Sequence, residues 1–261
     1  MKFKLYQIDA FAEKTFTGNP AAIVPLDKWL PDNTLQQIAA ENNLAETAYY
    51  VAGDNGFHIR WFTPKSEVKL CGHATLATAF VLFNERHYEK DTVLFHSLSG
   101  PLSVTKNGDL LSMDFPNQMP TVCDTPQELI LGLGAEPGTC FANEDYMAVF
   151  QSEANLARLE PKAVHLEHLD LRGVIATAPS AQYDFVSRFF APKLAILEDP
   201  VTGSSFTHLI PYWAKQLGKE KMIAKQISSR GGVVHCELQG DRVLISGTAV
   251  KYLEGEIEIR D

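Results

Sequence analysis

"RWFTPK", residues 60–65, returns in altered form as "RFFAPK" at residues 188–193, an offset of 188 − 60 = 128. Each copy is followed by a glycine-bearing turn and a run of small residues, CGHATLATAF from Cys71 and TGSSFTHLIPYW from Thr202. Aligning Gly72 with Gly203 gives an offset of 131, so the second copy holds three extra residues between the two features. Ser99-Gly100 and Arg230-Gly231 repeat at 131, and two alternating runs flank Gly-Asp steps at Gly108 and Gly240, 132 apart. A turn of this kind between period-2 segments is a hairpin signal. Any one of these matches is weak; four in the same order at nearly constant offset mark a duplicated unit.

Each copy reads as paired strands (ETAYYV and FHIRWF in the first), a glycine turn, a helix of about three turns and a meander with a hairpin. Ala74, Ala77 and Ala79 put small side chains on several faces of the first helix, which is the pattern of a helix packed on all sides. The predicted fold is α/β (α+β): two pseudo-symmetric domains, each a curled mixed sheet wrapped around a central helix. The polar, proline-bearing stretch FPNQMPTVCDTPQEL (115–129) is the best boundary, giving domains at 1–118 and 119–261. The closing segment GEIEIRD pairs either within the second domain or across to the first.

Composition narrows the class. Of the 261 residues, 45% are hydrophobic and 21% charged, ordinary usage for a soluble globular chain long enough to bury a real core. A net charge of −9 argues against a nucleic-acid partner, which needs a basic stripe. The start, MKFKLYQIDAF, alternates like a strand rather than a signal peptide, and no run approaches the ~18 apolar residues of a membrane span. Cys71, Cys123, Cys140 and Cys236 lie far apart with no C-x-x-C pair, so neither a disulfide framework nor a zinc knuckle is indicated, and a reducing cytoplasm is the simplest home. The histidines form no zinc-ligand set, and His165 with His168 sits in a polar segment without a cysteine partner, so no metal is expected.

The chemistry must then come from the repeat. A helix N-terminus carries unpaired N–H groups and partial positive charge, and a glycine there lets a ligand approach the backbone. Gly72-His73 and Gly203-Ser204 supply two such ends, either as anion-holding elements or as plain tight turns. A two-thiol racemase needs a cysteine in each copy, but Cys71 aligns with Thr202, whose hydroxyl is far too weak an acid. The halves also differ at Glu46, which aligns with Val174. This carboxylate at a strand mouth is either a general acid–base or a strand-end charge. Asp199, ahead of the second helix start, either bonds a ligand amine or hydroxyl or fixes its own turn.

Five ordered motifs carry a family resemblance: IDAFAEKTFTGNPAAIV (8–24), NLAETAYYV (43–51), IRWFTPKSEVKLCGHAT (59–75), EDPVTGSS (198–205) and SRGGVVHCELQGDRVLISGTAV (229–250). Together they resemble the phenazine-biosynthesis PhzF-like isomerases, within the diaminopimelate epimerase fold superfamily. The resemblance implies two pseudo-symmetric domains with the active site between them, a homodimer, and proton transfer that moves a double bond without any cofactor. It places the catalytic glutamate at Glu46, ligand-contacting groups at His73, Asp199 and Ser204, and close backbone approach at Gly72 and Gly203.

The expected activity is isomerisation of a small cyclic or unsaturated carboxylic acid, with one glutamate moving the proton. Its rivals are an epimerase or racemase of a small amino acid using Cys71 as second base, and a non-catalytic metabolite-binding protein. One departure bears on the substrate: relatives read Gly-Ser-Ala-His after the second turn, whereas this chain reads Gly203-Ser204-Ser205-Phe206, with His208 two places later.

Overall fold

Alternating residues at the N-terminus form β1 (Lys2–Ala10), and the chain continues through β2 (Asn19–Leu26), α1 (Asp32–Asn42), β3 (Glu46–Gly53), β4 (Gly56–Phe62), β5 (Glu67–Val68), α2 (Gly72–Phe80), β6 (Thr92–Ser97), β7 (Gly100–Asn107) and β8 (Leu110–Pro116). The computed structural model describes residues 1–260 and contains two compact units: residues 1–114 with the chain from Ser246 onward, and Phe115–Ile245.

In the first unit β2 runs antiparallel to β1 and parallel to β3, β3 antiparallel to β4, and β4 parallel to β6, which opens the β6–β7–β8 meander. Strand alternation sorts the two faces. Ala22, Val24, Tyr49 and Phe62 pack with Leu35, Ile38 and Ala39 of α1. Thr47 shares that face and accepts a hydrogen bond from Asn42 of α1, so Glu46, Ala48 and Tyr50 point the other way. That opposite side belongs to α2, which packs on β1, β2, β3 and β7. Every residue of α2 from His73 to Ala79 is buried, as the small-residue pattern predicts. One wider turn, Val81–Glu85, extends the helix beyond the three turns expected.

The second unit holds β9 (Thr121–Cys123), α3 (Gln127–Leu133), β10 (Thr139–Ala142), β11 (Tyr146–Val149), α4 (Glu153–Ala157), α5 (Ala163–Leu166), β12 (Val174–Pro179), β13 (Phe185–Phe190), α6 (Phe206–Leu217), β14 (Lys221–Gln226), β15 (Gly232–Gln239) and β16 (Arg242–Gly247), before the closing β17 (Ala249–Glu258). Its pairings repeat the first unit's order: β10–β11 antiparallel, β11–β12 parallel, β12–β13 antiparallel, β13–β14 parallel, β14–β15 antiparallel. Leu129, Leu133, Leu156 and Leu166 from the three short helices cover one face, against Ala176, Ala178, Val186 and Phe190. The buried α6 takes the place of α2: its Trp213 stacks on Phe185 at 5.4 Å and donates to Thr177 Oγ1 at 3.0 Å.

The boundary differs from the expected 118/119. The contacts divide the chain at 114/115 and return its last strand to the first unit. The reason is pairing: β17 runs antiparallel to β1 from Lys2↔Glu258 to Ala10↔Ala249. A strand left on its own would present unpaired backbone groups, and β1 satisfies them.

The repeated hexapeptide proves to be a clamp. Arg60 donates from Nε and from a terminal nitrogen to both oxygens of Glu67, at 2.7 and 2.8 Å, and its guanidinium lies 5.1 Å over the ring of Phe62. Arg188 does the same with Glu198, at 2.8 and 2.9 Å, over Phe190 at 4.9 Å. In each copy the forked pair ties a strand to the segment four residues ahead of the helix-start residue, Cys71 or Thr202. Two-pronged Arg–carboxylate bonding fixes direction as well as distance.

Candidate active site

Two elements meet at Glu46. It opens β3 on the face shared with α2, and His73 stands in the first turn of that helix. The Nε2 of His73 lies 3.1 Å from Oε2 of Glu46, with both side chains nearly buried. The two atoms are at ion-pair distance but poorly aligned for a hydrogen bond, and among the described residues neither gains another hydrogen-bond partner. Each therefore keeps bonding capacity in a place where unused capacity is costly.

The other ring nitrogen is occupied. Nδ1 of His73 lies 3.2 Å from Nδ2 of Asn19 and 3.6 Å from Sγ of Cys71. In the neutral ring, with the Asn19 amide and the Cys71 thiol donating to Nδ1, the proton sits on Nε2, facing Glu46. Burial pushes the Cys71 thiol up to about 11, with the Glu46 charge adding to the effect, so the sulfur is a thiol rather than a thiolate at neutral pH. Burial also opposes a charged His73, but the Cys71 sulfur, able to accept a hydrogen bond from the charged ring, and the Glu46 carboxylate prevail and hold the imidazole well above its ordinary value.

Glu46, Cys71 and His73 each place a ligand-type atom within 4.8 Å of the others. Sulfur faces one ring nitrogen and carboxylate the other, so the imidazole lies between them, whereas ligands of one tetrahedral ion converge on a common point.

At the second helix start, Gly203–Ser205 form a single 3-10 turn leading into α6. Asp199, mostly buried, accepts a hydrogen bond on Oδ2 from the hydroxyl of Thr202. Buried Gln226 locks the segment by donating to the Asp199 carbonyl at 2.7 Å and accepting from the Thr202 N–H at 2.9 Å. Ser204 accepts at 3.0 Å from Arg172, whose guanidinium is itself held by the fully buried Asp145. Because Arg172 occupies a lone pair of that oxygen, the Ser204 hydroxyl proton is left to donate elsewhere.

Neither Gly72 nor Gly203 takes a positive φ. Backbone conformation does not require glycine at either place. The altered 205–208 stretch turns inward. Phe206 packs 6.2 Å from Phe185, and His208 is fully buried beside Thr207, with burial holding it below its ordinary pKa.

The structure thus brings Glu46, Gly72 and His73 together in one unit, and Asp199, Gly203 and Ser204 together in the other. Sequence reasoning missed Asn19, Arg172 and Asp145. Asn19 sits inside a recognised motif and is a polar residue opening an apolar strand, a usable signal. Arg172 aligns at the repeat offset with Leu44 (172 − 128), so the comparison of copies gives it no counterpart. A groove of about 650 Å³ beside Gly134, Gln151 and Arg158 of the second unit includes none of these residues.

Comparison with known proteins identifies the family. The family model described as phenazine biosynthesis-like protein matches residues 8–255. An uncharacterized isomerase of Pseudomonas aeruginosa is 47% identical, covering 99% of this chain and all of its own length. The crystal structure of a phenazine biosynthesis protein of the PhzF family from Enterococcus faecalis superposes with a TM-score of 0.97 at 46% identity, covering 99% of this chain and 100% of that one. A hydroxyproline epimerase from Agrobacterium vitis, 11% identical with a TM-score of 0.64 over 100% of this chain and 93% of its own, shares the fold alone. The chain therefore belongs to the phenazine-biosynthesis-like family of isomerases, built on the diaminopimelate epimerase-like fold.

Proposed function

We propose that the protein moves a proton, and with it a double bond, within a small cyclic or unsaturated carboxylic acid, using Glu46 as its single general acid–base and no cofactor. The observation that carries this reading is the buried Glu46–His73 pair, a carboxylate with an unsaturated oxygen beside an imidazole of raised pKa. Glu46 takes a proton from an activated C–H. The electron pair spreads into the conjugated acid, and Glu46 returns the proton at the far end of the same system. Nothing is oxidised or reduced, so proton transfer alone balances the reaction. His73 supports the carboxylate while it is charged, and its Nε2–H stays with Glu46 through the cycle.

Gly72, His73, Asp199, Gly203 and Ser204 are proposed to hold the ligand. The N–H groups of a helix start suit an anionic oxygen, and developing enolate charge gains most from such fixed donors. The proposal includes a homodimer working in a reducing cytoplasm, in keeping with four free cysteines.

The test is turnover of candidate acids in D2O, followed by proton NMR. Migration of the double bond is expected, with deuterium at the newly saturated carbon to the extent that the proton exchanges with solvent while on Glu46, and Glu46→Gln should abolish the migration. Full turnover by that variant would sink the reading. One observation favours a second reading, an epimerase: the Cys71 thiol contacts the same imidazole. Inversion at a stereocentre with the double bond unmoved, lost in Cys71→Ser, would establish it instead; binding without conversion by any acid would favour a metabolite sensor.

A further inference from the structure

Cys123 and Cys140 are seventeen positions apart (140 − 123), and no spacing motif connects them. The fold does. They are direct cross-strand partners in the antiparallel β9–β10 pair. Partners of this kind share a face of the sheet, with Cα atoms about 4.5–5.5 Å apart. That range falls inside the roughly 4.4–6.8 Å that a disulfide spans. Both are free thiols, set directly opposite each other in the strand register. They differ in access: Cys140 is 1% exposed and its thiol donates weakly to the Phe141 carbonyl, while Cys123 is half-buried and reachable.

We propose that Cys123 and Cys140 form a redox-active dithiol which a small-molecule disulfide oxidises to an intramolecular disulfide. The accessible Cys123 gives up its proton and attacks one sulfur of the oxidant. An S–S bond to Cys123 forms as the oxidant's own S–S bond breaks, releasing one small thiol. Cys140 then gives up its proton and attacks Cys123 Sγ, releasing the second. Two protein thiols are oxidised and one small disulfide is reduced to two thiols. Burial, followed by the neighbouring Cys123, pushes Cys140 up to about 12, which suits it to the second, intramolecular step, where proximity compensates for a scarce thiolate. Closure would fasten β9, the first strand of the second unit, to β10. Neither Cys71 nor Cys236 has a cysteine opposite it in its strand or turn.

The test uses the full chain, freed of reductant and treated with oxidised glutathione. Intact mass is expected to fall by about 2 Da, the loss of two hydrogens. Cleavage after Glu128 or Glu136, which separates the two cysteines, should leave the peptides joined until a reductant is added. The crosslinked fraction should rise with the ratio of oxidised to reduced glutathione, and Cys123→Ser should remove it. A lasting single glutathione adduct on Cys123, a crosslink to Cys71 or Cys236, or no oxidation of the folded chain where the unfolded chain crosslinks would each overturn the proposal.

Discussion

At the start of α2 the chain presents Cys71, Gly72 and His73; at the start of α6 it presents Thr202, Gly203 and Ser204. The scaffolding of the two is the same. Each follows a forked Arg–Glu clamp, each opens a buried helix, and each helix lies between strands paired in the same order. The chemistry differs. The first start faces a carboxylate from β3, while the equivalent place on β12 is Val174. The second is lined with hydroxyls and an arginine held by a buried aspartate. A duplicated frame has kept its mechanics and divided its chemistry. A carboxylate facing an imidazole sits in one copy; hydroxyls, an arginine and carboxylates already engaged in hydrogen bonds sit in the other.

The sharpest way to break that comparison is at Glu46. Glu46→Gln keeps the shape and removes the base, and we expect a fall in kcat of about 10³-fold, within the range for losing a general base, measured in the D2O assay. Next come the clamps. Arg188 is more buried than Arg60 and also donates to the carbonyls of Leu156 and Leu159. Arg188→Ala should cost about 3–5 kcal/mol in urea unfolding, the range for stripping a buried pair of one partner. Arg60→Ala, at a more exposed pair, should cost about 1 kcal/mol; equal costs would mean the two clamps are interchangeable. Ser204→Ala should raise KM about 5–10-fold with kcat little changed, in proportion to a single hydrogen bond of roughly 1–1.5 kcal/mol. A comparable fall in kcat would place chemistry in the second copy.

The smallest effect concerns pH. Because the folded-state pKa of His73 is raised, its contribution to stability is fully present below the ordinary histidine value and is lost as pH rises through the folded value. Glu46→Gln removes the neighbouring anion, so the His73 titration followed by NMR should move down, and the stability lost on raising pH above about 6.5 should shrink. An unmoved titration would show that the carboxylate does not govern the imidazole.

Most of the frame was legible before any coordinates. The two strand pairs, the buried helices with their alanines and the Gly108 and Gly240 turns all rest on local periodicity, and local periodicity survives in a linear string. The Glu46/Val174 difference was legible as well, because a duplicated chain carries its own alignment. The purpose of RWFTPK and RFFAPK was hidden: Glu67 and Glu198 lie at different spacings from their arginines and look like ordinary surface acids.

Periodicity and internal repetition carried the pseudo-symmetric α/β architecture and marked Glu46 and the two helix starts, while the roles expected of Glu46, His73, Asp199 and Ser204 came from the resemblance of five ordered motifs. Three things required the folded chain: the return of β17 to β1, the Asn19–His73 and Asp145–Arg172–Ser204 contacts, and the facing thiols of Cys123 and Cys140. Each depends on strand register or on loops closing over long separations. Those are fixed by which hydrophobic faces and backbone groups satisfy one another across the whole unit, and no stretch of residues taken alone contains that information.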